Sequence, residues 1–156
     1  MNFMMDWHLV LRDVSRLAIA YVLALPVGWY RERQAHSVGV RTFPLVAMAS
    51  CGYVLLSYSG DQVDMAAQSR IIQGLVTGIG FIGAGAILKA EGNVHGTATA
   101  ASVWNTGVLG AAVAQERYAL AVVLSALNLF ALRVLLPLKW KLGDRPEQET
   151  DRRDLD

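Results

Sequence analysis

The sequence predicts an all-α, polytopic membrane protein with about five transmembrane helices and an N-terminal amphipathic helix at the membrane interface. Two observations predict this class. Of the 156 residues, 54% are hydrophobic and only 17% are charged, whereas soluble domains average about 25% charged residues. The charged residues also cluster at particular places and leave long apolar intervals between them, which is typical of a chain that crosses a membrane several times.

The apolar intervals are the predicted transmembrane helices. They cover residues 17–30, 43–59, 71–88, 97–114 and 118–138. A helix needs about 17–25 residues to cross roughly 30 Å of hydrocarbon, which suits the last four intervals. The first interval is short, so we expect its helix to extend back through Arg16, whose long side chain can reach the interface.

The two ends of the chain have a different character. Near the N-terminus, apolar residues recur at helical spacing, which predicts an amphipathic helix on the membrane surface: Phe3, Trp7, Val10 and Val14. Arg12 and Arg16 lie too close to the first apolar interval for a cleaved signal peptide. Residues 143–156 are charged and lack an apolar period, so we expect a disordered tail after a membrane domain of residues 1–142.

The basic residues predict an orientation. With five crossings, one set of loops contains Arg31, Arg33, Arg41, Lys89, Lys139, Lys141, Arg145, Arg152 and Arg153. The other set contains Arg12, Arg16, Arg70 and Arg117. The set richer in basic residues is expected to be cytoplasmic, which places the N-terminus outside and the C-terminus in the cytoplasm. The net charge of +1, without a basic face, gives no support for nucleic-acid binding.

The third interval contains the stretch "GIGFIGAG", whose G-x-G-x-x-G spacing occurs in dinucleotide-binding folds. No turn precedes the stretch, and the nearest acid is Glu91, so we expect no nucleotide. Glycines in a membrane helix instead allow close helix packing, and we predict a central third helix with neighbours on two sides. The predicted packing residues are Gly74, Gly78, Gly80, Gly83 and Gly85.

The fourth interval, "GTATAASVWNTGVLGAAVA", continues this pattern with Gly96, Ala100 and Gly110. Its polar residues must face either a partner helix or a functional polar path, since lipid cannot satisfy them. These residues, with the aromatic residue beside them, are Thr99, Asn105, Thr106 and Trp104. The glycine faces of both helices predict a homo-oligomer.

Some charged residues could act in binding. Arg133 is the only cation within an apolar interval; it either extends to the interface or pairs with Glu32. The loops that hold Arg41, Asn93 and His95 are either solvated topology signals or a docking surface, and His95 could make that surface sensitive to pH near neutrality.

Catalytic and metal-binding patterns are absent from the sequence. No motif surrounds the Ser, His and Asp residues, so we predict no enzyme. Apart from Asp13, no acid lies in the predicted helices, so we predict neither a magnesium site nor a cofactor. Cys51 is the only cysteine, and we expect a buried thiol.

Three motifs carry a family resemblance. "GVRTFPLV", "VTGIGFIGAGAILK" and "VHGTATAASVWNTGVLGAA" occur in this order, and over about residues 25–115 the chain resembles the MgtC/SapB family. The family motif falls on Arg41, Thr42, Arg70, Gly78, Gly80, Phe81, Gly83, Gly85, Asn93, Gly96, Thr99, Ala100, Ala101 and Trp104. The chain departs from the family at Tyr30, which replaces a Glu, at residues 67–69, which replace Asp-Pro, and at His95, which replaces an Arg. It also stops before the soluble C-terminal domain of longer members.

The resemblance implies a bacterial inner-membrane protein that is linked to low magnesium and, in pathogens, to virulence through survival inside host cells. It implies a regulator of another membrane complex, with the ATP synthase as the candidate partner, or of membrane potential. The alternative is a transporter or channel for Mg²⁺ or another cation, which would need a continuous polar path through Thr99, Asn105 and Thr106. A purely structural assembly partner is a third possibility.

Overall fold

The computed structural model describes residues 6–33, 39–60, 62–90 and 93–135. Its helices are α1 (Trp7–Glu32), α2 (Thr42–Leu55), α3 (Met65–Gly85), α4 (Thr97–Ala114) and α5 (Tyr118–Phe130), and a π-helical turn, Ala131–Leu135, follows α5. Strands β1 (Tyr58–Ser59) and β2 (Gln62–Val63) form one antiparallel hairpin, and β3 (Leu88–Ala90) and β4 (Asn93–His95) form another. The predicted disordered tail, residues 143–156, lies outside the described residues.

Helix α1 joins two predicted elements. The backbone N–H of His8 donates to the Asp6 carboxylate at 3.1 Å, which caps the start of the helix. From there α1 continues for 26 residues. The predicted separate interfacial helix and the first apolar interval are therefore one helix in this structure.

Helix α4 lies at the centre of the bundle, where it contacts α1, α2, α3 and α5. Helix α3 contacts α4 and, less extensively, α2. The central position predicted for the third helix therefore belongs to the fourth. The buried core between α1, α2 and α4 is built largely from small and β-branched residues, among them Ala24, Ala47, Val54 and Val113.

The structure corrects the predicted fold class. It is mostly helical, but none of the helices in the described ranges combines the length and the apolarity that a membrane crossing needs. At about 1.5 Å per residue, α2 and α5, with 14 and 13 residues, extend only about 20 Å. Polar residues interrupt the longer helices, such as Gln68 in α3 and Asn105 in α4. The prediction of five transmembrane helices is wrong for this structure, and the orientation derived from five crossings has no support.

Candidate functional site

The last turn of α1 meets the first turn of α4 at a buried arginine. Ala20, Ala24, Val27 and Arg31 are spaced three or four residues apart, so they share the face of α1 that packs inward. Arg31 is only 7% exposed, and its Nη2 donates a hydrogen bond to Oγ1 of Thr99 in α4. Burial is the main cause that lowers the pKa of Arg31.

Within the described residues, Arg31 has no acidic partner. Its Nε is buried and has no hydrogen-bond partner, and no carboxylate forms an ion pair with Arg31 among the described residues. Its neighbour Glu32 is exposed and accepts a hydrogen bond from the backbone N–H of Val40 at 3.0 Å. An unpaired buried charge costs several kcal/mol, and the positive charge of Arg31 is not balanced by an acidic side chain among the described residues.

Arg133 and Glu32 do not form the pair that the sequence left open. Glu32 holds Val40 in the connection between α1 and α2. The Arg133 guanidinium instead lies 5.6 Å from the ring centroid of Tyr30, a cation–π distance, and the residue is exposed. Arg133 thus contacts α1 through the ring of Tyr30.

The polar residues predicted in α4 take part in contacts within the bundle. The side-chain amide of Asn105 donates to the carbonyl oxygen of Leu124 in α5 at 3.2 Å. Thr106 Oγ1 donates to the carbonyl oxygen of Ser102 at 2.8 Å within its own helix. Trp104 is 46% exposed on the outer side of α4. Asn105 and Thr106 therefore bond to backbone carbonyl groups, whereas Thr99 bonds to the side chain of Arg31.

Three of the predicted small residues make close backbone contacts. A Cβ added at Gly110 would overlap the carbonyl oxygen of Ala47, so α2 and α4 touch through their backbones. A Cβ added at Gly83 would lie 3.4 Å from the carbonyl oxygen of Ala100, which joins α3 to α4. Gly96 has a φ of +87° and faces the end of α3.

The other predicted packing glycines, Gly74, Gly78, Gly80 and Gly85, are exposed, and a Cβ added at any of them would meet nothing within 4 Å. Their close contacts are therefore not made among the described residues of this chain. Gly74 and Gly78 line an apolar groove between α2 and α3, with a volume of about 730 Å³. Leu45, Tyr53 and Ile82 also line this α2–α3 groove.

Ser50 lies in the floor of the α2–α3 groove. The residue is 1% exposed, and its hydroxyl has no hydrogen-bond partner among the described residues. A buried hydroxyl without a partner is unusual in a folded protein. The hydroxyl oxygen lies 3.4 Å from the position of a Cβ added at Gly107, so it faces α4 rather than the open groove.

The remaining predicted residues are dispersed. Arg41 is exposed at the start of α2, Arg70 is exposed in α3, and His95 is exposed in β4. Thr42 is half-buried and lines the α2–α3 groove. Asn93 begins β4, and its side chain lies outside what the structure describes. The structure does not gather these residues into one cluster.

An ion pair between a buried arginine and an exposed glutamate was not predicted. Arg16 is 2% exposed, and its Nη2 pairs with the carboxylate of Glu116, in the turn between α4 and α5. Its guanidinium also lies 5.7 Å from the ring centroid of Tyr58 in β1. The sequence analysis placed Arg16 at the interface because of its long side chain, and it did not detect a partner that lies 100 residues away.

Two polar residues of α5 were also missed. Ser125 Oγ donates to the carbonyl oxygen of Leu23 at 2.7 Å, and Asn128 Nδ2 donates to that of Ser102 at 3.3 Å. They are three residues apart in an otherwise apolar helix, which puts them on one face. That spacing was a usable signal for contacts with α1 and α4.

Metal-binding groups are sparse: no cluster of three or more His, Cys, Asp or Glu residues occurs within residues 6–33, 39–60, 62–90 and 93–135. Cys51 is buried, as predicted, and burial is the main cause that raises the pKa of its thiol to about 11.

Comparison with known proteins gives several matches. "Putative magnesium transporter YhiD" of Escherichia coli (strain K12) is 33% identical over 139 residues, which cover 85% of this chain and 64% of the relative. Protein SrpB of Synechococcus elongatus is 40% identical over 110 residues, which cover 63% and 60%. Protein MgtC of Brucella abortus (strain 2308) is 35% identical over 108 residues, which cover 68% and 44%.

This chain therefore spans less than two thirds of the length of each of these relatives. No solved structure matches it. The family model described as MgtC family matches residues 17–140, which confirms the resemblance seen in the three motifs. The chain belongs to the MgtC family.

Proposed function

We propose that this chain is a regulatory protein of the bacterial inner membrane, linked to magnesium limitation, that acts by binding another membrane protein. Proteins of the MgtC family are generally membrane proteins, which supports the location. The name of YhiD, "Putative magnesium transporter", supports the link to magnesium. Binding is favoured over catalysis because the groove offers a surface of contact rather than a set of reacting groups.

The α2–α3 groove is the observation that carries this proposal. Gly74 and Gly78 leave a gap between the apolar side chains of its α3 wall, so the backbone of a partner helix can approach closely at this point. Its other lining residues are mostly apolar, as in grooves that bind helices. The expected partner segment is an apolar helix with small residues on one face.

The ATP synthase is the proposed partner complex. Inverted membrane vesicles with and without the protein would be assayed for ATP hydrolysis and ATP-driven acidification side by side. We expect both activities to fall together in the presence of the wild-type protein. Gly78→Leu should abolish the effect by filling the groove, whereas Gly80→Leu, the same change outside the groove in the same helix, should preserve it.

Other results would contradict this proposal in different ways. If acidification falls while hydrolysis is maintained, the protein conducts ions. If neither activity changes, the protein does not regulate the ATP synthase. A second copy of this chain is the competing occupant of the groove; in that case Gly78→Leu would reduce oligomer size while the effect on the vesicles persisted.

Transport of Mg²⁺ is the second candidate function, and the name of YhiD favours it. In this case Mg²⁺ would enter proteoliposomes that contain the purified protein. Replacing Asn105 by Leu should then abolish uptake while helix content, measured by circular dichroism, is kept. Uptake that is absent in the wild type would exclude this function under the conditions used.

A further inference from the structure

The first turn of α4 is a second place where groups lack partners. Gly96 is the N-cap residue, and no side chain within the described ranges caps the helix. The first intrahelical bond runs from the N–H of Ala100 to the carbonyl oxygen of Gly96 at 2.9 Å. The preceding N–H groups, those of Thr97, Ala98 and Thr99, therefore have no acceptor within the helix.

Arg31 brings a full positive charge to this turn. Its guanidinium donates to Thr99 Oγ1, the side chain of the third helical residue, and its buried Nε lacks a partner among the described residues. The N-terminus of a helix already carries a partial positive charge. The C-terminus of α1 carries a partial negative charge that offsets part of the charge of Arg31. The Arg31 guanidinium and the N-terminus of α4 are nevertheless both positive, and burial weakens the solvent screening between them.

A negatively charged ligand would supply both an acceptor for the N–H groups of the first turn of α4 and a negative charge beside Arg31. Free N–H groups at a helix N-terminus and an arginine are the donors that most often bind phosphate. The hydroxyl of Thr99 accepts from Arg31, and its own hydrogen has no acceptor among the described residues. Thr97 is exposed and Gly96 is half-buried, so the start of the turn can be reached from outside the bundle, whereas Thr99 and Arg31 are only 3% and 7% exposed.

We propose that the first turn of α4 and Arg31 form a binding site for a phosphate group. Arg31 supplies the charge, and the Thr99 hydroxyl and the N–H groups of Thr97 and Ala98 supply hydrogen bonds. The phosphate can be free inorganic phosphate or the headgroup of an anionic phospholipid. This site lies outside the α2–α3 groove and does not depend on the function proposed above.

Thermal unfolding of the 156-residue chain, followed by circular dichroism, tests the proposal. Inorganic phosphate would be titrated at constant ionic strength, with chloride as the balancing anion. A ligand that binds the folded state raises the midpoint of unfolding in a saturable way. We expect this rise in the wild type, and an affinity at least about tenfold weaker in Arg31→Met.

Arg33→Met is the matched control, because Arg33 is exposed, two residues further along the chain, and its loss changes the net charge equally. It should respond to phosphate like the wild type. Without phosphate, Arg31→Met should unfold at the same or a higher temperature than the wild type, because it lacks the unpaired cation. If Arg31→Met fails to fold, Thr99→Val, which removes only the hydroxyl, gives the same comparison.

Phospholipid vesicles distinguish the two sources of phosphate. If free phosphate has no saturable effect, the wild type and Arg33→Met should bind phosphatidylglycerol vesicles better than phosphatidylcholine vesicles, and Arg31→Met should lose this preference. The proposal is wrong if phosphate stabilises all three proteins equally, because that result indicates general salt effects. It is also wrong if neither free phosphate nor phosphatidylglycerol distinguishes Arg31→Met from Arg33→Met.

Discussion

The glycines of this chain differ in what an added Cβ atom would contact. Gly107 and Gly110 of α4 face Ile79 and Ala47, with no room for a Cβ. Gly74 and Gly78 of α3 are also about one helical turn apart, but they face open space. Spacing alone therefore predicted that small residues line helix faces, but it could not tell which faces are occupied within the chain.

Gly110→Ala is expected to lower the free energy of unfolding by about 1–3 kcal/mol, because the new methyl group would overlap the carbonyl oxygen of Ala47. Gly78→Ala is the control. It should be neutral or stabilising by up to about 1 kcal/mol, because alanine has the higher helix propensity and meets no neighbour. Urea unfolding measures both changes. Equal effects of the two substitutions would contradict the contact between α2 and α4.

Cys51 should be unreactive in the folded protein. Burial is the main cause that raises its thiol pKa to about 11, and the charge of Asp13 raises it further while Arg16 opposes the shift. We expect iodoacetamide to modify Cys51 at pH 8 at least about a hundredfold more slowly in buffer than in urea, because the thiolate is the reactive form. Rapid modification in buffer would show that the core between α1 and α2 opens.

The same thiol gives a pH dependence. A folded-state pKa above the ordinary 9.0 means that the neutral thiol contributes stability below about pH 9, and this contribution is lost as the pH rises towards 11. Unfolding midpoints measured between pH 8 and 11 should fall more steeply in the wild type than in Cys51→Ala. Parallel curves would contradict the raised pKa.

At the scale of elements, the apolar intervals located the helices but not all of their ends. The fourth interval, residues 97–114, coincides with α4. Helix α3 begins at Met65, six residues before the predicted start at 71, because the Asp64 carboxylate accepts from the N–H groups of Ala66 and Ala67 at 2.9 Å each. Hydropathy does not detect such a cap.

Gly96 controls how α4 follows the second hairpin. Its φ of +87° strains any residue with a Cβ, and an added Cβ would also overlap the carbonyl oxygen of Ala86. Gly96→Ala should lower the free energy of unfolding by more than about 2 kcal/mol. Gly60 also has a positive φ, +63°, but an added Cβ would meet nothing there. Gly60→Ala should therefore lower the free energy of unfolding only through backbone strain, by about 1 kcal/mol. Similar losses at the two positions would show that the approach to Ala86 costs nothing.

For the whole molecule, the sequence predicted the family and the helical content, while the predicted membrane crossings are wrong for this structure. Composition averages over the chain, whereas a crossing needs one helix that is both long and apolar. The candidate site was only partly predictable. Thr99 was selected for its polarity in an apolar interval, but its partner Arg31 lies 68 residues earlier, on another helix. Such pairs arise from packing, which a single sequence does not display.

The ion pair of Arg16 and Glu116 connects distant parts of the molecule, since it joins α1 to the turn between α4 and α5. Glu116→Ala should lower the free energy of unfolding by about 1–3 kcal/mol, because Arg16 then stays buried without a carboxylate partner. The loss is limited because the Glu116 side chain is exposed and solvent weakens its attraction to Arg16. Arg16→Met should cost less, because it removes the buried charge and retains apolar bulk. The double variant should be no less stable than Glu116→Ala alone, since the charge that Glu116 neutralises is then absent. Urea unfolding of the four proteins gives the coupling energy, and additive losses would mean that the two residues do not stabilise each other.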